Sequence, residues 1–301
     1  PTESLSRQLP PLSAGVLRFG LAAIFLGIVA VGLRFRRPEK VRTSGRILIV
    51  PAAVLGVTML GLPYALTVWG AGRVSPGLVA LLYGLMPLMV LLFEGDSRDG
   101  AISALVLGIG GVAMVVAPGL SFHWSQAGGA GALLGAVASA GFSLVYVRRL
   151  YARGRLTGKD LVPFCAIQLV VASAFLLVLA VGTGEGITFR LDETAYLPLA
   201  ILAIVVSAGT LPVLYWLLGG VSAWRVATLQ WVATLVAVGE AASVLHVRPA
   251  LEGWVGAALI PACIVWIFLR GDDGITGPVT PKITSDPFSP LEASDIQGKS
   301  G

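Results

Sequence analysis

Apolar residues run along most of this chain in long blocks separated by short polar breaks. Blocks of roughly 17 to 25 residues match the length of helix that crosses a hydrocarbon core of about 30 Å. Nine spans are expected: Val16–Leu33, Ile47–Trp69, Gly77–Phe93, Ala101–Ala117, Gly128–Val147, Leu161–Val181, Tyr196–Leu218, Val226–Gly239 and Leu251–Leu269. No window alternates apolar and polar residues over about ten positions as a membrane strand would, so each span is read as a helix that satisfies its own backbone. The expected fold class is therefore all-α, a polytopic membrane helix bundle.

Two of the blocks echo each other. Gly61 to Glu94 reads GLPYALTVWGAGRVSPGLVALLYGLMPLMVLLFE, and Thr210 to Glu240 reads TLPVLYWLLGGVSAWRVATLQWVATLVAVGE. Leu62-Pro63 recurs as Leu211-Pro212, Val74-Ser75 as Val221-Ser222, and the closing acid as Glu94 and Glu240. Spans one to four correspond to spans six to nine, with Gly128–Val147 left over. An odd number of helices then separates the copies, and they run in opposite senses, as two inverted-topology helical repeats. On this pattern the natural fold has ten helices in two five-helix halves, and the sequence is expected to lack the first of them.

Composition agrees with a bilayer. Of 301 residues, 56% are hydrophobic and only 12% charged, where a soluble domain carries about 25% charged residues. The mean hydropathy is +0.86. A net charge of +5 would suit nucleic acid, but the basic residues fall in short loops between spans and form no continuous face. They act as topology signals instead. With the loop after the first span in the cytoplasm, that side gathers 16 of the 21 basic residues, leaving Arg7, Arg18, Arg73, Arg190 and Arg248 outside. The C-terminus is then cytoplasmic.

The runs RVSPGLVALLYGLMPLMVLLFE, LRFGLAAIFLGIVAVGLR and VGEAASVLHVRPALEGWVGAALI resemble the EamA branch of the drug/metabolite transporter superfamily, over roughly residues 10 to 270. The resemblance implies a permease of the bacterial inner (plasma) membrane that exports small metabolites or drug-like solutes. It divides the chain into a first EamA-type repeat at residues 1–120, with four spans and its first helix missing, and a second at 125–270 with five. Residues 271–301, rich in Gly, Pro, Ser, Thr and Asp, are expected to be a disordered cytoplasmic tail.

Candidate transport residues follow from what a membrane interior tolerates. Prolines inside spans remove a backbone bond and kink or break the helix; Pro63 and Pro212 occupy matching places, and Pro87 interrupts the third span, where the second copy has Thr234. Polar and aromatic groups deep in spans need partners and turn inward, which nominates Tyr64, Tyr83, Gln168, Tyr215, Gln230 and Trp231 for the wall of a substrate cavity. Interhelical hydrogen bonding with no ligand is the competing explanation. Tyr83 and Gln230 align in the two copies. Ionisable groups are scarce inside the spans: Arg18, Glu94, Arg225 and Glu240 stand at span ends. Glu240 is a candidate for coupling or gating, against a plain interfacial acid, and Glu94 reads as part of a solvated loop. Gly131, Gly135, Ser139 and Ser143 recur every four positions and read as a close-packing stripe. So lightly charged an interior suits neutral or zwitterionic solutes.

Catalytic signals are lacking. His123 and His246 are far apart, Cys165 and Cys263 have no pairing or metal-ligand spacing, and the glycine-rich stretches fit neither a P-loop nor a dinucleotide fingerprint. No enzyme activity, cofactor or metal is expected. The expected partners are a small-molecule substrate and the lipid bilayer, without nucleic acid, and a homodimer is left open. The leading expectation is a secondary permease working by alternating access. The rivals are a multipass membrane enzyme or a flippase subunit acting on lipid-linked substrates.

Overall fold

The computed structural model describes residues 10–36, 45–95, 101–117, 123–185, 193–233, 235–236 and 251–269. Every regular element among these residues is helical. The first, α1 (Pro11–Arg36), is followed by α2 (Gly45–Leu55), a π-helical segment Gly56–Gly61 and α3 (Leu62–Ala71). Next come α4 (Pro76–Gly84), α5 (Met86–Glu94), α6 (Ala101–Val116), α7 (Ala127–Ala152) and α8 (Leu161–Gly182). The chain continues through α9 (Glu193–Ala200), a second π-helical segment Ile201–Gly209, α10 (Thr210–Gly220), α11 (Ala223–Ala227) and α12 (Leu251–Leu269).

Six helical stretches among the described residues are long and apolar enough to cross a membrane: Pro11–Leu33, Leu48–Ala71, Pro76–Glu94, Trp124–Ala152, Leu161–Gly182 and Tyr196–Gly220. Shorter apolar helices cover Leu105–Val116 and Val255–Ile267. The eighth expected span, Val226–Gly239, is helical in part, and residues 237–239 lie outside the described set. The outer surface is what a lipid-facing bundle requires: Ile28, Val106, Val178 and Leu197 are each 65–69% exposed. In water such a surface would be a large apolar liability. A shared core of Phe19, Leu55, Val90, Leu144, Leu169 and Tyr215 joins helices from both ends of the sequence.

The prolines mark where the helices depart from regularity. Pro63 and Pro212 each lie just beyond a π-helical segment, whose wide turns relieve the clash of the ring with the carbonyl four residues back. In the π register the carbonyl of Thr58 would look to the nitrogen of residue 63, which as proline has no hydrogen. The Ser139 hydroxyl of α7 donates to that oxygen instead, at 2.7 Å. Ser143 adds a bond to Thr58 Oγ1 at 2.9 Å. In the second segment Ser207 Oγ and Thr210 Oγ1 donate five residues back, to Leu202 and Val205 at 3.1 and 3.3 Å.

Each wide turn also changes the helix's neighbours. Before Gly56 the second span packs on α8; beyond Gly61 it packs chiefly on α7. The span containing the second segment lies against α1 first and against α7 and α8 after Thr210. Pro87 acts differently. It is buried at the start of α5, and the helix breaks at Leu85, so α4 and α5 are separate helices within one membrane crossing.

The small-residue stripe on α7 is only partly a contact. Gly131 has open space where a Cβ would stand, and Gly135 merely touches Leu66. The close approach falls elsewhere, between Gly70 and Gly129: a Cβ on Gly70 would come within 2.8 Å of the Gly129 carbonyl oxygen, and one on Gly129 within 3.0 Å of that of Gly70. Ser139 and Ser143 carry hydrogen bonds rather than merely thinning the interface.

Glu94 is no solvated loop acid. Its two carboxylate oxygens accept from the backbone nitrogens of Ala223 and Trp224 at 3.0 and 3.3 Å, filling the orphan donors at the start of α11. At the same end of the bundle Arg148 donates to the carbonyls of Leu218 and Gly219, and Arg149 to that of Phe93. The charges there tie the helix ends together.

Candidate functional site

A cavity of about 560 Å³ lies inside the bundle, within the range typical of sites that enclose small organic molecules. One side is built by α1, the first π segment, α3, α4 and α5, through Arg18, Phe19, Met59, Pro63, Tyr64, Thr67, Tyr83 and Met86. The other is built by α7, the second π segment, α10 and the stretch from α11 to Gln230, through Leu144, Ser207, Thr210, Leu214, Leu217 and Val226 among others. A second cavity of about 480 Å³ adjoins it and shares Tyr83 and Gln230, with Ala71, Pro76, Val79, Ala80 and Ala233.

Four of the residues nominated from sequence come together here: Pro63, Tyr64, Tyr83 and Gln230. Tyr83 Oη is hydrogen-bonded to Thr67 Oγ1, which itself donates to the carbonyl of Pro63 at 2.6 Å. The first turn of α3 thus anchors a cavity-wall tyrosine through one threonine. Tyr64 Oη donates to the carbonyl of Pro11 at 3.0 Å, and its ring meets Phe19 edge-on with centroids 5.6 Å apart. Gln230 is half-buried and has no hydrogen-bonding partner among the described residues, which leaves its amide available to an occupant.

Gln168, Tyr215 and Trp231 are not among the lining residues. Tyr215 Oη donates to Gln168 Oε1 at 2.8 Å with both side chains wholly buried, so this pair bridges α8 and α10, with Gln168 Nε2 buried and without a partner among the described residues. Trp231, also wholly buried, donates from Nε1 to the carbonyl of Gly84 at 2.9 Å. That carbonyl sits at the break before Pro87, and the indole ring fills the space left by Gly108, where a Cβ would lie 2.1 Å from the ring. Pro87 is buried beside the cavity residue Met86, and Pro212 stands between the lining residues Leu211 and Val213. Glu240 and Thr234 lie outside the described residues.

The sequence reading missed the charge of the site. It started the first span at Val16 and so set Arg18 at a membrane edge. The helix begins at Pro11, about one and a half turns before Val16, which brings Arg18 inside the span and onto the cavity wall. Its Nε donates to Ser207 Oγ of the second π segment at 2.8 Å. Its guanidinium lies 5.5 Å from the centroid of the Phe19 ring. The cavity therefore combines one cation, hydroxyls from Thr67, Tyr83 and Ser207, the Gln230 amide and a wall otherwise dominated by apolar side chains.

Comparison with known proteins bears on what such a cavity serves. Residues 2–95 match the EamA-like transporter family. Over 266 residues the chain is 25% identical to the uncharacterized transporter YvbV of Bacillus subtilis (strain 168), covering 86% of this chain and 84% of that protein. A solved structure described only as "Crystal structure of protein" superposes with a TM-score of 0.65 at 17% identity, covering 87% of this chain and 88% of its own, which establishes likeness of fold. The family match and the YvbV relative agree with the resemblance drawn from the sequence and support an EamA-type permease.

Proposed function

We propose that this protein is a secondary permease of the EamA type that moves small metabolites or drug-like solutes across a bacterial plasma membrane by alternating access, with its C-terminus in the cytoplasm. The observation that carries the reading is the cavity of about 560 Å³ walled from both halves of the chain, since a site at the junction of two inverted bundles is what rocking transporters use. Two contacts support the division into repeats at residues 1–120 and 125–270. Tyr83 and Gln230, which correspond in the two copies, wall the same cavity. Gly84 and Trp231, the next corresponding pair, are hydrogen-bonded to each other. Equivalent positions of two halves meet in this way only near an axis relating them. The family match and the name of the Bacillus relative point to a transporter and not an enzyme.

The π-helical segments beside Pro63 and Pro212 would serve as the flexible joints, because their wide turns lie where the ladder of regular helical bonds is already interrupted. Reconstitution of the full chain in liposomes, followed by a scan of amphipathic solutes, tests the reading. Saturable movement of at least one of them is expected. Failure to move any, with helical content confirmed in the same vesicles, would overturn it.

A further inference from the structure

We infer that the solute this cavity takes is an organic anion, with a carboxylate, sulfonate or phosphate group bound by Arg18 and an apolar body lying against Met59, Met86 and Leu214. The inference rests on the permease reading, because it names the substrate class of the same cavity. Burying a cation within a membrane span is costly, and such residues are placed where they pair or bind something. Arg18 has one hydrogen bond, from Nε to the neutral Ser207 hydroxyl at 2.8 Å. Among the described residues no carboxylate stands within ion-pair distance of it. Glu185, which follows α8 and reaches the start of α1, is engaged elsewhere: its Oε1 accepts from the backbone nitrogens of Leu12 and Ser13 at 2.8 and 3.2 Å. With Nε held by Ser207, the two terminal nitrogens form the fork that suits a planar or tetrahedral oxyanion in two-point contact.

The Gln230 amide is complementary to such a ligand. The Tyr83 hydroxyl donates to Thr67 and that of Thr67 to the Pro63 carbonyl, so the amide is the neutral donor left to it in this group. Neutral donors can orient an anion but do not neutralise it. The charge balance therefore falls to Arg18, and a soluble anion with a compact apolar body fits a cavity volume of about 560 Å³.

Benzenesulfonate, a permanent anion, and benzenesulfonamide, its neutral counterpart, separate charge from shape. Full-length protein is tested in phosphatidylcholine liposomes for flux of each probe and in detergent for thermal stabilisation by each, with phosphatidylglycerol as a further additive in detergent. Wild type is expected to prefer the sulfonate in both assays. Arg18→Gln is expected to lose about tenfold or more of that preference, the usual scale for a charge-assisted bond. Ser207→Asp keeps the arginine but supplies a competing carboxylate, and is expected to lose the preference as well, which covers the case of an Arg18 variant that does not fold. Flux of the sulfonamide with no preference for the sulfonate would overturn the anion site while leaving the permease intact. Stabilisation by the sulfonate, lost in Ser207→Asp, without flux of either probe would uphold the anion site and count against the permease. Stabilisation by phosphatidylglycerol alone would overturn the soluble anion in favour of a lipid headgroup, and stabilisation by no probe would overturn the site.

Discussion

Trp231 Nε1 donates to the carbonyl oxygen of Gly84 at 2.9 Å, joining two wholly or largely buried residues 147 positions apart in the chain. The bond closes a gap that Pro87 opens, since the helix is interrupted at Leu85 and that carbonyl is at its last turn. Trp231→Phe keeps the ring and removes the donor. It is expected to destabilise the protein by about 1–3 kcal/mol, the cost of an unsatisfied buried acceptor, read as an earlier unfolding transition in detergent.

The ring of Trp231 needs the absence of a side chain at residue 108, where a Cβ would stand 2.1 Å from it. Gly108→Leu is therefore expected to cost about 1–3 kcal/mol or more through overpacking. Pairing it with Trp231→Ala should recover part of the loss. A double variant no better than the sum of its parts would separate the two residues energetically.

Tyr83 and Tyr215 make a matched comparison. Both are tyrosines within spans, but Tyr83 lines the cavity while Tyr215 is bonded to Gln168 away from it. Tyr83→Phe releases Thr67 and is expected to raise the apparent KM for transport severalfold. Tyr215→Phe should cost about 0.6 kcal/mol of stability, the average for hydrogen bonds between membrane helices, with the KM unchanged. Flux titrations of both variants at several solute concentrations check the split.

Ser139→Ala strands the carbonyl of Thr58, which has Ser139 Oγ at 2.7 Å as its donor and proline at the position a π turn would use. The expected loss is about 1–3 kcal/mol. Gly135→Ala on the same face meets only Leu66 at 3.4 Å and should be nearly neutral. Thermal unfolding of the two variants side by side distinguishes a hydrogen-bonding serine from a merely small one.

Glu94→Gln weakens the carboxylate that caps α11 through Ala223 and Trp224. A drop of about 0.5–2 kcal/mol is expected, the range for losing a helix cap. Glu94→Ala should cost more. Unfolding curves for both, normalised to wild type, provide the check.

The helical class was legible in the sequence because block length alone decides it, and Tyr83 and Gln230 were legible because they fall at corresponding places in the two copies. Arg18 was not, because the polar Ser13 and the prolines before it disguised a helix that starts at Pro11. Gln168 and Tyr215 looked like wall residues because a sequence shows that a polar group needs a partner and not which partner it finds. The same applies to Trp231, whose partner is a main-chain oxygen. Proline signalled irregularity at residues 63, 87 and 212, but it could not say that two of these would become wide turns and one a full break.

The wide turn at Gly56–Gly61 sets the phase of everything that follows it on that span. Pro63, Tyr64 and Thr67 reach the cavity because of the turn's extra residue. Wound as a regular α-helix over the same residues, the span would have its far portion rotated by about 100° from its present setting, turning all three away from the cavity at once. The winding of that short segment is thus as much a determinant of the cavity as any side chain it positions, and a change from wide to regular turns there would re-aim the wall without altering one of its residues.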